Sequence, residues 1–146
     1  MSEKVNQDVI VEPQSVSADG KWVITQIALP GKEALRGVVA FPIRGGSPIR
    51  LCRGLCFVSW RRDAKFMYVH LPGTSQQGEL GKTFVVPVGP VDPFSQLPDS
   101  GIQSEADLLK SGIKTLEGTI SPGPDSTRYA FTKQSVHRNI YRVPTP

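Results

Sequence analysis

SADGKWVI, residues 17–24, is a short polar turn running into an apolar strand. An aspartate placed like Asp19 can accept a hydrogen bond from backbone two residues on and so hold a turn. Gly20 suits a left-handed backbone position, and Trp22 opens the strand that follows. Alone, the stretch marks one hairpin. It has two counterparts, WRRDAKFMYV at 60–69 and PGPDSTRYAF at 122–131. Each places an Asp in the turn (Asp19, Asp63, Asp125) and an aromatic residue at the start of the next strand (Trp22, Phe66, Tyr129). Ala64 and Ser126 fit a left-handed position less well than Gly20, so the sequence predicts a different turn type in those two copies.

Further elements keep the same phase. GVVAFPI ends at Ile43, KTFVVPV at Val88 and RNIYRVP at Pro144, each an apolar strand with a proline near its end. GGSPIRL (45–51) and GPVDPFSQL (89–97) follow the first two and read as short outer strands. The interval from Asp19 to Asp63 is 44 residues. That length suits a unit of four strands, the size of a propeller blade. Prolines at strand ends agree with their exclusion from central ladder positions. KFMYV and TFVVPV are apolar throughout rather than alternating, as expected of strands covered on both faces.

The second interval, from Asp63 to Asp125, is 62 residues, so about 18 are inserted, in DSGIQSEADLLKSGIK (99–114). Ser104 followed by Asp107 has capping-box spacing, which predicts a helix of about two turns near 104–111. The expected fold is therefore all-β: a partial β-propeller of about three blades, each an antiparallel four-stranded repeat, with one short helix. The repeats are placed at about 9–52, 54–98 and 113–146, with the helical insert at about 99–112.

Composition narrows the function classes. A chain of 146 residues with 38% apolar and 21% charged residues is a globular rather than a disordered one. No apolar run approaches the ~18 residues of a spanning helix, and MSEKVNQDVIVEPQ lacks the basic-then-apolar order of a signal peptide. The net charge of +4 is spread along the chain, densest at Arg61-Arg62. Nucleic-acid binders cluster such charge and interleave aromatics, so nucleic acid is not an expected partner.

No residue is assigned to catalysis, cofactor binding or metal binding. Cys52 and Cys56 supply two of the four ligands a structural zinc needs, and they read as buried free thiols, although a disulfide across the turn is geometrically possible. His70 and His137 are lone histidines at strand ends, read as packing or bonding locally. GELGKT (78–83) brushes against a phosphate-loop pattern, but Gln76 stands where the first glycine belongs and the run enters a strand rather than a helix. No G-x-S-x-G elbow is present, and Asp19, Asp63 and Asp125 are accounted for by turns.

The order SADGKWVI … GVVAFPIRGGSPIRLC resembles the repeat of TolB-like, WD-type bacterial β-propellers, with Ala18 where those repeats carry proline. PGPDSTRYAFTKQSVHRNIYRVPTP (122–146) resembles their closing blade, of the type found behind serine/threonine protein kinase domains. The resemblance implies a non-catalytic module for protein or ligand interaction or sensing, the C-terminal fragment of a longer chain. The alternative it implies is the tail of a bacterial serine/threonine kinase; the chain has no kinase catalytic elements. Three blades do not close a ring, which takes at least four. The expected partners are therefore a protein, missing upstream blades or further copies of the chain, with apolar end faces favouring self-association.

Overall fold

The structure is a computed structural model that describes residues 10–29, 31–61, 63–73, 80–109, 112–123 and 128–131. The protein is all-β. The strands are β1 (Ile10–Val16), β2 (Trp22–Leu29), β3 (Lys32–Pro42), β4 (Ile49–Cys52), β5 (Phe57–Trp60), β6 (Phe66–Leu71), β7 (Lys82–Pro87), β8 (Lys114–Glu117), β9 (Ile120–Pro122) and β10 (Tyr129–Phe131). They form three antiparallel sheets: four strands in the order β1-β2-β3-β4, four in the order β5-β6-β7-β8, and the pair β9-β10.

The first two sheets open with the same hairpin. Gly20 N–H donates to the Ser17 carbonyl at 2.9 Å, and Ala64 N–H to the Arg61 carbonyl at 3.1 Å. Asp19 Oδ1 accepts from Lys21 N–H at 3.1 Å and Asp63 Oδ1 from Lys65 N–H at 3.2 Å. Gly20 has φ +68° and Ala64 φ +55°, so the expected difference in turn type is corrected. The ladder on either side and the Asp63 bond hold Ala64 in a left-handed conformation that costs an alanine ~1–2 kcal/mol. The hairpins differ two residues before the aspartate. The Ser17 hydroxyl donates to Asp19 and accepts from Lys21 and Trp22 N–H, whereas Arg61 is a buried cation with Nη1 3.7 Å from Asp63 Oδ2.

Register carries the likeness further. Trp22 lies opposite Pro42, and Phe66 opposite Pro87. Beyond each proline the chain is held once more, Ile43 N–H on the Lys21 carbonyl and Val88 N–H on the Lys65 carbonyl. The third hairpin is offset. Gly123 N–H bonds the Arg128 carbonyl at 2.8 Å and Tyr129 pairs with Pro122. Arg128 thus stands where Trp22 and Phe66 stand, and Tyr129 falls one position later because it is four residues after Asp125 rather than three. Asp125, Ser126, His137, Pro144 and the expected strand RNIYRVP lie outside the described residues.

The main core lies between the two four-stranded sheets. Ile24, Val38 and Ala40 of the first sheet face Val58, Met67, Val69, Phe84 and Val86 of the second, all buried. Alternation puts Ile27, Val39 and Phe41 on the rear of the first sheet, where they form a small buried cluster of their own. It puts Tyr68, Val85 and Leu116 on the far side of the second, where Ile120 of β9 packs against them. Burial of Ile27, Val39 and Phe41 corrects the expectation of a bare apolar end face at those positions.

Residues 89–97 are turns rather than the expected outer strand; Pro90, Pro93 and Pro98 have no N–H for a ladder. The fourth strand of the second sheet is β8, so the insertion lies inside that sheet, between β7 and β8, and not between the second and third copies. The inserted chain crosses to the first sheet. Ile102 N–H bonds the Leu51 carbonyl and Arg53 N–H the Ile102 carbonyl, a parallel bridge beside Cys52. Phe94 sets its ring edge-on to both Trp22 (5.2 Å) and Trp60 (5.8 Å), with Leu97 and Leu108 buried nearby. The two-turn helix shrinks to one 3₁₀ turn, Glu105–Leu108. Asp107 Oδ2 caps it by accepting from Gln103 and Ser104 N–H, but Leu109 already leaves the helical region, at φ −79° and ψ 59°. No α-helix occurs among the described residues.

The cysteines are not free. Cys52, ending β4, and Cys56, preceding β5, are joined by a disulfide between Cα atoms 6.3 Å apart, a span that such a bond bridges readily. Both are buried, and the bond staples the connection between the two large sheets.

Candidate functional site

Concavity and chemistry coincide where the second sheet meets β9. A cleft of about 380 Å³ is lined by Phe57 and Ser59 of β5, Tyr68 and His70 of β6, Thr83 of β7, and Thr119 and Ile120 at the entry to β9. No side chain in that lining carries a fixed charge. Period-2 alternation places Tyr68 and His70 on the face turned toward β9, and pairing of His70 with Thr83 sets those two side chains abreast.

The hydrogen bonds fix where the protons sit. Thr83 Oγ1 lies 2.7 Å from the Gly118 carbonyl, which can only accept, so the single hydroxyl proton of Thr83 points there. Thr83 Oγ1 must then accept from His70 Nδ1, 3.1 Å away. That assigns the Nδ1–H tautomer and leaves Nε2 as an acceptor for the Thr119 hydroxyl at 3.2 Å. Protons run in one direction, from Thr119 to His70 to Thr83 to Gly118. Burial holds the imidazole pKa below its ordinary value, opposed in part by backbone contacts at Gly118 and Lys82. The Phe57 ring lies 6.2 Å from the imidazole, tilted by 34°. The site thus combines an uncharged acceptor, hydroxyls with set directions and one aromatic wall.

The inner strands of the two large sheets make an informative contrast. A bulge in β1 between Pro13 and Ser15 leaves Gln14 without a cross-strand partner. Its amide reaches β5 instead. Nε2 donates to the Cys56 carbonyl at 2.7 Å, and Oε1 accepts from Val58 N–H at 2.9 Å. Ser15 Oγ adds a bond to the Val58 carbonyl at 2.7 Å. A second concavity, lined by Leu29, Arg50, Arg53, Asp99 and Ser100, is basic on one side, but Arg53 Nε is used to hold the Ser100 carbonyl at 3.0 Å.

His70, expected to pack or bond locally, bonds Thr83 on the neighbouring strand and Thr119 at a separation of 49, and the cleft it lines was not expected. His137 lies outside the described residues. Gln14, Thr83 and Thr119 carry no motif that points to them. The one available signal was the spacing of Phe66, Tyr68 and His70 along a single strand face. Among the described residues no group of three His, Cys, Asp or Glu side chains could hold a metal ion, and no helix is long and apolar enough to cross a membrane. Comparison with known proteins found no family model, no curated protein and no solved structure that matches this chain.

Proposed function

We propose that the protein is a non-catalytic binding module whose sheets are successive blades of a β-propeller. One observation carries this reading: the two four-stranded meanders stack head to tail with matching parts. Trp22–Pro42 and Phe66–Pro87 stand in the same register. The face of the second sheet that packs on the first (Met67, Val69, Phe84, Val86) corresponds, strand for strand, to the rear face of the first (Val23, Thr25, Ile27, Val39, Phe41). The inner strands β1 and β5 lie side by side, tied by Gln14 and Ser15. Each outer strand leads through a short connection to the next inner strand, β4 to β5 and β8 to β9. Such an arrangement is heterologous, so it propagates until a ring closes.

Binding rather than catalysis is supported by the environment of His70, whose partners are two hydroxyls and no carboxylate. The two large sheets and the hairpin among the described residues are fewer than the four blades a ring needs, so on this reading further blades or further copies complete it.

Sedimentation of the 146-residue chain over a range of concentrations tests the reading. The expected result is association through the exposed margin of the first sheet's rear face, around Val16, and the outer face of β10, which Val16→Glu or Ala130→Glu stops at the monomer in either variant alone. Mixed together, the two variants each keep one good end and form a dimer. A chain that stays monomeric throughout, or variants that fail to complement each other, would overturn head-to-tail stacking.

A further inference from the structure

We infer that the cleft beside His70 is a recognition site for a primary carboxamide, of the kind carried by a glutamine side chain. The template is inside the molecule. At the boundary between the first two sheets the Gln14 amide donates to the Cys56 carbonyl and accepts from Val58 N–H. Matching the hairpins by register makes Pro122 the counterpart of Trp60, Ser121 of Ser59 and Ile120 of Val58. Gly118 and Thr119 then correspond to Cys56 and Phe57. The carbonyl and amide that Gln14 bridges thus have counterparts in Gly118 C=O and Ile120 N–H, at the entry to β9.

What lacks a counterpart is Gln14 itself. Pro13 and Ser15 face Thr25 and Ile24, as Val58 and Ser59 face Val69 and Tyr68, and no residue of β5 matches the bulged one between them. The second boundary therefore keeps the sockets and loses the plug. Its cleft is lined by the residues around that position, Phe57, Ser59, Thr119 and Ile120 among them.

Backbone geometry supports the assignment. Gly123 N–H bonds the Arg128 carbonyl, and hydrogen-bonded and non-hydrogen-bonded pairs alternate along an antiparallel ladder. Counting inward, Ile120 and Phe131 form a non-hydrogen-bonded pair, so Ile120 N–H projects from the open edge of β9. Val58 N–H does the same toward Gln14. The Gly118 carbonyl takes the Thr83 proton and retains a second lone pair for an amide N–H. The uncharged lining selects for the neutral group: a carboxylate of the same shape has no N–H to give Gly118 and no charge partner in the cleft. Phe57 and Ile120 suit the methylene stem.

The inference rests on the correspondence between sheets and not on ring closure, so it stands or falls separately from self-association. The test is amide NMR of the full chain titrated with propionamide, propionate and N,N-dimethylpropionamide, then with N-acetyl-glutamine methylamide and its glutamate analogue. Propionamide is expected to shift Gly118, Thr119 and Ile120 saturably, while the acid and the dimethylated amide leave them in place. The glutamine compound should bind at least as tightly as propionamide if the natural source is a peptide side chain, and more weakly if it is a small free amide. Ile120→Pro removes the N–H; Thr119→Phe leaves it and fills the cleft with the residue found at the matching position. Loss of binding in both, with the spectrum otherwise preserved in the second, supports the site. Equal shifts from all three small probes, or no saturable shift from propionamide, would overturn it.

Discussion

The two boundaries between sheets are built on one plan and finished differently. At the first, Phe94 joins Trp22 and Trp60, Leu108 and Phe84 are fully buried, a disulfide staples the connection and Gln14 closes the inner edge. At the second, Tyr68, Val85 and Leu116 meet Ile120, and the inner edge opens into the His70 cleft. The same backbone therefore yields a core where large apolar side chains and a plugging amide are supplied, and an open cleft where they are not. Position 38 is valine at the first boundary; its register counterpart is Thr83 at the second, where a hydroxyl holds the imidazole.

If burial sets the energetics, the largest effect belongs to the first boundary. Phe84→Ala should destabilise the protein by about 3–5 kcal/mol, since the side chain has no exposed surface and its removal leaves a cavity. Leu116→Ala, at the edge of the second boundary, should cost about 2 kcal/mol, the low end for such changes, because the open neighbourhood can relax. Denaturant midpoints of both variants check the comparison. Equal losses would mean that the second boundary is as tightly packed as the first.

The staple comes next. Replacing Cys52 and Cys56 together by alanine should cost about 2 kcal/mol, from releasing a closed loop of about five residues in the unfolded chain. The change should appear as a lower melting temperature, with the NMR signals of His70, Thr83 and Thr119 unmoved. Signals that shift at the cleft would show the two boundaries to be coupled rather than independent.

The turns offer a smaller contrast. Gly20 and Ala64 share a left-handed backbone, which an L side chain adopts at a cost. Ala64→Gly should stabilise the protein by about 1 kcal/mol and Gly20→Ala should destabilise it by a similar amount, both read by thermal melts. An Ala64→Gly variant no more stable than the parent would mean that the extra freedom of glycine in the unfolded chain cancels the relief of strain.

These contrasts also mark what a sequence carries. The hairpins were legible because their chemistry is local: Asp19 reaches Lys21, and Asp63 reaches Lys65, two residues away. The Trp–Pro and Phe–Pro pairings were legible as a shared phase, and the all-β class followed from it. The insertion was legible in length but not in place, because DPFSQL reads as well as a strand as it does as a set of turns, and only Trp22 and Trp60 explain where Phe94 goes. The cleft was not legible at all. Gln14 meets Cys56 and Val58 more than forty residues away, and Thr119 meets His70 at a separation of 49. No periodicity encodes a bulge that turns one side chain aside, and the disulfide needed the β4–β5 connection before its two thiols could be seen to meet.

The finest distinction between the boundaries is titratable. His70 is the one imidazole among the described residues, and it sits at the second boundary alone. Burial holds its folded pKa below the ordinary 6.5, which means the unfolded chain takes up a proton more readily than the folded one. Its contribution to stability is therefore complete above about pH 6.5 and is lost progressively as pH falls from there toward the folded pKa, below which this group adds no further change. Protonation also places a hydrogen on Nε2, where the Thr119 hydroxyl now donates, so that bond must reverse or break while the Nδ1–H bond to Thr83 persists. Asp19, lowered chiefly by its bond to the Ser17 hydroxyl, acts in a separate window: its contribution is present above the ordinary carboxylate value of 3.8 and is lost as pH falls through its lower folded value. Imidazole nitrogen shifts followed from pH 8 to 4.5 should show His70 titrating below 6.5 with Thr119 and Gly118 moving in step, while Gln14, Cys56 and Val58 stay fixed. His70→Gln should flatten the fall in stability over that range and leave the Asp19 effect at lower pH intact. A His70 that titrates at or above 6.5 would mean that water reaches the ring freely and that the Thr119–His70–Thr83 chain does not order the cleft.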